Sequence, residues 1–185
     1  SASLVGSEMC IRDRLVGLLM LGGMDWFDSI CHAFATTGTG GFSTKQASVA
    51  YYNSPYIEYV ISIFMFISGI NFTLLLLFVN RKFKKFISNA ELKFYFGSVI
   101  LFTAIIALVL YYTSRMGMEE SFRKSLFQVI SLQTSTGFAT DDYMKWTPVL
   151  WGLFTIIMLM GACAGSTTGG LKCIRMVILT KVSRN

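Results

Sequence analysis

His32–Thr44 reads HAFATTGTGGFST, and Gln128–Thr140 reads QVISLQTSTGFAT. The two stretches are copies of one element, because a shift of 96 positions lays Gly41 on Gly137 and each following phenylalanine on its counterpart. In both, an apolar segment leads into a Thr/Ser/Gly segment that ends in Gly-Phe, and a long apolar segment follows a short polar connection. A half-length helix, a Gly/Thr loop and a spanning helix, repeated, is how membrane proteins build an ion pore from backbone carbonyls. The repeat therefore predicts tandem helix–pore-loop–helix units.

The composition is that of a membrane protein. Of 185 residues, 54% are hydrophobic and 14% are charged, whereas soluble domains carry roughly 25% charged residues. The net charge of +6 is explained by membrane topology, so no nucleic-acid partner is expected. The four cysteines form no CxxC and there is one histidine, which indicates neither a zinc site nor a disulfide framework.

The longer apolar segments predict the membrane spans. Tyr56–Val79 and Phe94–Tyr112 are each long enough to cross the hydrocarbon core as one helix. A third segment, Pro148–Thr180, is interrupted by the small residues of Gly161–Gly170. Two shorter apolar segments, Trp26–Thr37 and Ser121–Gln133, carry polar side chains and run into the Gly/Thr loops. They are expected to be re-entrant pore helices that are buried in protein rather than in lipid.

The N-terminal stretch fits this pattern poorly. Leu15–Met24 is apolar but too short to cross a bilayer, and it is interpreted as the end of a helix. The polar residues 1–14 before it are expected to be foreign to the protein or disordered.

Lysine and arginine set the orientation. The linker of residues 80–93 carries an excess of basic side chains, concentrated in Arg81–Lys85, and the C-terminal tail is also basic, whereas the connections that follow the Gly/Thr loops have no such excess. By the positive-inside rule, the linker and the tail are cytoplasmic and the loops face outward.

The Gly/Thr loops predict a cation filter. A dehydrated potassium ion needs several oxygens in place of its water shell, and extended backbone with its carbonyls turned inward supplies them. Ordinary turn glycines are the alternative, and the repetition of the loop between two kinds of helix disfavours it. The predicted filter residues are Thr39, Gly40, Gly41, Phe42, Ser135, Thr136, Gly137 and Phe138, with the backbone of Thr39, Gly40, Gly41, Thr136 and Gly137 as potassium ligands.

In combination, these motifs resemble the Trk-type potassium uptake proteins of the TrkH/KtrB/HKT cation transporter superfamily. The resemblance rests on HAFATTGTGGFST, on ISGINF (Ile67–Phe72), on TSTGFATDDY (Thr134–Tyr143) and on GACAGSTTGGLKCIR (Gly161–Arg175). It implies four helix–pore-loop–helix repeats around one pore. Residues 15–79 would be the second repeat with a truncated first helix, 80–93 the cytoplasmic linker and 94–185 the third repeat.

The resemblance also implies a gate. Small residues at membrane depth leave backbone groups unpaired, which is tolerated only in a segment that lines a cavity or is buried in protein. In the family, the matching segment is a flexible loop below the filter. The alternative is helix packing through Gly161 and Gly165, which have the GxxxG spacing. The residues that would form the gate are Gly161, Gly165, Ser166, Thr167, Thr168, Gly169 and Gly170.

Three polar residues near the loops have two interpretations each. His32 is either a proton relay or a buried, hydrogen-bonded histidine that stabilises a pore helix, and the second is favoured. Asp141 and Asp142 either concentrate cations outside the filter or form a turn with a helix cap.

The sequence thus predicts an all-α, multi-pass integral membrane protein, and the resemblance implies that it takes up potassium across a bacterial plasma (inner) membrane. It predicts no enzyme, no covalent cofactor and potassium as substrate. The resemblance implies a homodimer in membrane lipid with a cytosolic, nucleotide-binding, TrkA-like regulatory subunit. The alternatives are a sodium-permeable or ion-coupled (symport) transporter, whose repeats are typically inverted, and an intramembrane enzyme, which would need a nucleophile and base within the spans.

Overall fold

A computed structural model describes residues 2–79, 86–87, 89–114, 117–176 and 178. Within these ranges the fold is all-α, and the one β-bridge joins Met160 to Leu171. Short 3-10 turns cover Ser48–Tyr52 and Tyr143–Lys145, and residues 173–176 form a last helical turn. The helices are α1 (Ala2–Leu21), α2 (Trp26–Thr37), α3 (Pro55–Ser68), α4 (Phe72–Val79), α5 (Ala90–Ser114), α6 (Met118–Gln133) and α7 (Pro148–Leu159).

Both predicted pore helices are confirmed as helices. α2 has the predicted bounds, Trp26–Thr37. α6 begins at Met118, three residues before the predicted Ser121, because Glu119 and Glu120 lie in its first turn, where a negative charge favours the positive end of the helix dipole. α6 lies at the centre of the described chain and packs against α3, α5 and α7.

α5 is longer than the predicted Phe94–Tyr112. Asn89 begins it, because its side-chain oxygen accepts hydrogen bonds from the backbone N–H of Glu91 (2.9 Å) and of Leu92 (3.3 Å), which have no partner within the helix. Residues 90–93, predicted as part of the linker, therefore belong to this helix. Among the described residues, α5 is the one helix that is long and apolar enough to cross a membrane.

The prediction of one continuous helix over Tyr56–Val79 is wrong. α3 ends at Ser68 and α4 begins at Phe72. Asn71 precedes α4, and its side-chain oxygen accepts the N–H of Thr73 (2.9 Å). A side-chain acceptor of this kind competes with the backbone and favours a helix start over a helix interior. As a result, the helix that follows the pore loop is interrupted in both copies of the repeat, between α3 and α4 in the first and after α7 in the second.

The first fourteen residues are expected to be foreign to the protein or disordered, and the expectation of disorder is not met. Residues 2–14 are helical and continuous with the apolar stretch from Leu15, and no proline interrupts the turn-to-turn hydrogen bonding. The helix ends where Gly23 takes a left-handed conformation, with φ of 91°. The N–H of Met24 then reaches the carbonyl of Leu19 (3.2 Å), which is the Schellman arrangement.

A buried ion pair joins the two copies of the repeat. Arg123 of α6 contacts Glu58 of α3, and the side chains are 11% and 5% exposed. Arg123 also binds Glu119 at 3.0 Å. The charges that argued against lipid exposure of the second pore helix are therefore paired inside the protein, as buried charges must be.

Part of the charge pattern lies outside the described residues. These positions are 80–85, with the basic cluster Arg81–Lys85, together with residues 88, 115–116, 177 and 179–185. The predicted cytoplasmic side therefore stays a prediction.

Candidate functional site

The two predicted filter loops, Thr39–Phe42 (the first pore loop) and Ser135–Phe138 (the second pore loop), take the same backbone path. Thr39 and Ser135 are left-handed, with φ of 51° and 56°, and Gly41 and Gly137 are left-handed again, with φ of 66° and 83°. The hydrogen bonds that end the pore helices also correspond. The N–H of Gly40 donates to the Ala35 carbonyl at 2.8 Å, and the N–H of Thr136 donates to the Ser131 carbonyl at 2.9 Å.

The backbone of both pore loops is strained at matching positions. Thr39 and Ser135 carry a β-carbon, yet they adopt the left-handed conformation, which costs roughly 1–3 kcal/mol per residue. Strain of this kind persists only where the surroundings enforce it, and it concentrates at functional sites. Its recurrence at equivalent positions shows that the two copies share the same enforced backbone conformation.

The pore loops approach each other at Gly41. A β-carbon at this position would lie 1.8 Å from the carbonyl oxygen of Thr136, so the backbone of the second loop fills the space that a side chain would need. At Gly137, by contrast, the described residues leave the β-carbon position open, and only the positive φ favours glycine. The structure thus brings the predicted backbone ligands of the two copies together.

The phenylalanines that end the pore loops have different surroundings. Phe138 is fully buried and stacks on the His32 ring of the other copy, with centroids 5.7 Å apart. Its carbonyl accepts the hydroxyl of Ser131 at 2.7 Å. Phe42 is 83% exposed and lines a cavity of about 530 Å³ beside α2. Phe138 therefore fixes the second pore loop onto the first pore helix, whereas no described residue does the same for the first.

His32 is buried and has a hydrogen-bond partner on each ring nitrogen, which confirms the interpretation as a structural histidine. Its Nδ1 lies 2.7 Å from the Asp28 carbonyl oxygen, which can only accept, so this nitrogen carries the proton. Nε2 is hydrogen-bonded to the hydroxyl of Ser43 at 3.0 Å. The Asp28 carboxylate binds the Tyr52 hydroxyl (2.6 Å) and the Lys45 ammonium (3.4 Å). With both ring nitrogens occupied by fixed partners, His32 stabilises the first pore helix and loop.

The two outer aspartates serve the structure of their turn. Asp142 accepts the N–H of Met144 at 3.2 Å and begins the 3-10 turn. Asp141 is bound by the Lys124 ammonium at 2.9 Å. Burial raises the pKa of Asp141, but the Lys124 hydrogen bond and the Asp142 N–H outweigh burial, so its pKa is lowered overall. The turn interpretation is therefore confirmed for Asp142, whereas Asp141 is paired with Lys124, a lysine that also binds Glu120 at 2.8 Å.

Residues 161–170 form a closed loop rather than a helix. The Gly161 N–H donates to Leu171 (2.9 Å) and the Leu171 N–H donates to Leu159 (3.1 Å), so the two ends are joined. A β-carbon at Gly161 would lie 2.3 Å from the Gly169 carbonyl oxygen, and this glycine is needed for the ends to meet. Helix packing through Gly161 and Gly165 is therefore wrong, since that motif needs both glycines on one helix.

The 161–170 loop contacts both pore loops. The Thr39 hydroxyl donates to the Thr167 carbonyl at 3.3 Å, and the Thr167 hydroxyl donates to the Thr37 carbonyl at 3.4 Å. The β-carbon position of Gly169 lies 3.5 Å from the Ser135 hydroxyl oxygen. These distances are to residues at the pore-helix ends of the loops, so the 161–170 loop lies beside that end of both pore loops.

Three residues that hold the 161–170 loop escaped the sequence interpretation as site residues. In the break between α3 and α4, Gly69 accepts the N–H of Cys163 at 3.1 Å, and the Asn71 amide lies 3.2 Å from where a β-carbon on Gly165 would be. Glu91, in the first turn of α5, accepts the N–H of Ala164. The sequence signal for the first of them was the shift of 96 positions, which also lays Gly69 on Gly165.

Comparison with known proteins gives a consistent result. The TrkH family, described as "Cation transport protein", matches residues 11–185. The Trk system potassium uptake protein TrkH of Escherichia coli K12 is 40% identical over 88% of this chain and 34% of its own length. TrkI of Halomonas elongata is 30% identical over 89% of this chain and 34% of its own. The crystal structure of the potassium transporter TrkH from Vibrio parahaemolyticus superposes with a TM-score of 0.89 at 32% identity, covering 95% of this chain and 39% of that one.

The described residues have the fold of a helical membrane transporter, and both copies of the repeat carry a Gly/Thr loop with the same left-handed pattern. The family is one of cation transport proteins rather than enzymes. The chain belongs to the TrkH family, and it spans about a third of the length of the curated relatives it matches.

Proposed function

We propose that the complete protein to which this chain belongs takes up potassium through a pore lined by backbone carbonyls. The ligands from this chain would be the carbonyls of Thr39, Gly40, Gly41, Thr136 and Gly137. The proposal rests on one observation: the two pore loops have the same left-handed backbone pattern, and they approach each other closely at Gly41. Fixed carbonyl oxygens at a water-poor site can replace the hydration shell of potassium, and the C-terminal ends of α2 and α6, at the pore loops, add negative dipole ends that favour a cation.

The 161–170 loop would be the gate of this pore. It is supported by the contacts of Thr167 with the first pore loop and by the position of Gly169 against Ser135. A loop across the mouth of the site obstructs an ion that leaves the filter. Its small residues and internal hydrogen bonds allow it to move as a unit, because few large side chains have to be repacked.

The repeat division, the location and the partners are parts of the same proposal. Residues 15–79 and 94–185 would be the second and third of four repeats, in a multi-pass protein of the bacterial inner membrane. The matched relatives are named as Trk system potassium uptake proteins, which supports a multi-component assembly. The homodimer and the cytosolic TrkA-like regulatory subunit follow from the family resemblance.

The test uses the complete four-repeat protein in liposomes, with potassium flux, the potassium-to-sodium permeability ratio and folded yield measured together. The unaltered protein should pass potassium in preference to sodium. Deletion of Gly165–Gly169 should raise flux with the ratio nearly unchanged, because the carbonyl ligands lie in other segments. A folded protein without potassium flux would refute the pore, and a folded deletion variant with unchanged flux would refute the gate.

A further inference from the structure

Three consecutive residues of the 161–170 loop lie next to the break between α3 and α4 or the start of α5, and two of them are held there by hydrogen bonds. The N–H of Cys163 donates to the Gly69 carbonyl at 3.1 Å. The N–H of Ala164 donates to the Glu91 carboxylate. The β-carbon position of Gly165 lies 3.2 Å from the Asn71 amide. Two of these contacts involve backbone or a neutral side chain, and the third involves a charged group.

Glu91 is well placed to hold the loop firmly. It is 7% exposed, and a buried carboxylate is costly unless hydrogen bonds compensate for its lost hydration. The hydrogen bond from Ala164 is charge-assisted, which makes it stronger than one between neutral groups. The backbone of Glu91 is itself fixed, because Asn89 accepts its N–H at 2.9 Å. The carboxylate therefore projects from a rigid helix start onto a loop that the proposed gating requires to move.

We propose that Glu91 is a positioning residue that holds the gate in its closed position through the backbone of Ala164. The inference rests on the proposed function of the 161–170 loop. The carboxylate touches no predicted filter residue, and it acts on the pore only because Ala164 and Thr167 belong to the same closed loop. Loss of this hydrogen bond should shift the loop toward the open arrangement and leave the filter unchanged.

The elements that hold the loop also connect it with the linker. The break at residues 69–71 and the start of α5 at residue 90 lie on either side of the 80–88 segment along the chain. A displacement of the start of α5 would withdraw the Glu91 carboxylate from Ala164.

The variants that test the proposal separate reach from charge. Glu91→Asp keeps a negative charge in the first turn of α5 but shortens the side chain by one methylene, so the carboxylate no longer reaches Ala164. Glu91→Gln keeps the reach and an acceptor oxygen but removes the charge. Glu120→Gln is the matched control, since Glu120 is a first-turn acid of α6 that binds Lys124 (2.8 Å) and not the loop.

In the complete protein in liposomes, Glu91→Asp should raise the basal potassium flux roughly tenfold, which is the order expected for loss of one charge-assisted hydrogen bond. Glu91→Gln should give a smaller rise, and Glu120→Gln none. The potassium-to-sodium ratio should stay constant throughout. Combined with the deletion of Gly165–Gly169, Glu91→Asp should have no additional effect, which a purely structural role of Glu91 does not predict.

The outcomes distinguish the role of Glu91 from the proposed gate on which it rests. If the deletion raises flux but a folded Glu91→Asp protein conducts as the unaltered protein does, the role of Glu91 is refuted and the gate stands. If the deletion itself leaves flux unchanged, the gate is refuted and the role of Glu91 with it. A rise in flux for Glu91→Gln without a rise for Glu91→Asp would also refute the role of reach, because only the charge would then matter.

Discussion

Replacement of Gly41 by alanine is the sharpest perturbation of the pore that the structure offers. The added β-carbon would lie 1.8 Å from the Thr136 carbonyl oxygen, whereas real β-carbons essentially never come within 3.0 Å of such an atom. Relief requires the two groups to separate by the difference, about 1.2 Å. The left-handed φ of 66° adds roughly 1–2 kcal/mol for a residue with a β-carbon.

The Thr136 carbonyl is a proposed potassium ligand, so its displacement should weaken selectivity. A loss of about 1.4 kcal/mol in the preference for potassium lowers the permeability ratio tenfold, and we expect at least this for Gly41→Ala. The assay is the reversal potential of the complete protein in mixed potassium and sodium solutions. Gly97→Ala is the control, since its β-carbon position in α5 is open and alanine there favours the helix by up to about 1 kcal/mol.

Gly137→Ala tests the conformational part alone. The φ of 83° disfavours alanine, but no described atom lies within 4 Å of the added carbon. We expect a smaller fall in the ratio than for Gly41→Ala. A folded Gly41→Ala protein with an unchanged ratio, or a control that falls as far, would show that the approach of the two loops does not shape the filter.

Other substitutions address topology and packing. A cysteine introduced at Lys84 should react with an impermeant thiol reagent only from the cytoplasmic side, as the charge pattern predicts, and labelling of intact cells would contradict this. His32→Gln, which copies the equivalent Gln128, should keep more folded protein than His32→Ala, because glutamine can still satisfy buried polar partners worth about 1–3 kcal/mol each; equal yields would contradict the hydrogen-bonded role. Glu58→Leu should lower unfolding stability by about 3 kcal/mol, the lower end of the cost of breaking a buried pair, because Arg123 keeps the more exposed Glu119 as its partner. Recovery in the double variant with Arg123→Met, measured by denaturant titration in detergent, checks the pairing, and no recovery would place the cost elsewhere.

Segments with a strong local signal were predictable from the sequence. α2 ends at Thr37 as predicted, since glycine and polar residues follow an apolar segment there. The non-helical nature of 161–170 was also visible, because small residues interrupt an apolar run. The break between α3 and α4 was missed because Ile67–Phe72 is largely apolar, and hydropathy does not register a helix start set by one asparagine side chain.

Contacts between distant segments were not predictable. Repetition indicated that Gly41 and Gly137 are equivalent, but not that the Thr136 carbonyl lies against Gly41. The hydrogen bond between Glu91 and Ala164 joins groups 73 positions apart, and Glu91 lies outside the motifs that carry the family resemblance. A glutamate at the start of a helix has an ordinary local explanation, which conceals its contact with the loop.

The stacking of Phe138 on His32 makes the joint between the two copies directional. The later copy provides the phenylalanine, and the earlier copy provides the ring on which it stacks. The Tyr52 ring packs edge-on against the same His32 ring, with centroids 5.7 Å apart. The position in the later copy that is equivalent to His32 is Gln128, whose side chain has no aromatic ring on which a phenylalanine could stack. The duplicated units have therefore diverged into parts with fixed neighbours, and a chimera that moves one unit to another place in such a protein must carry the matching half of this joint with it.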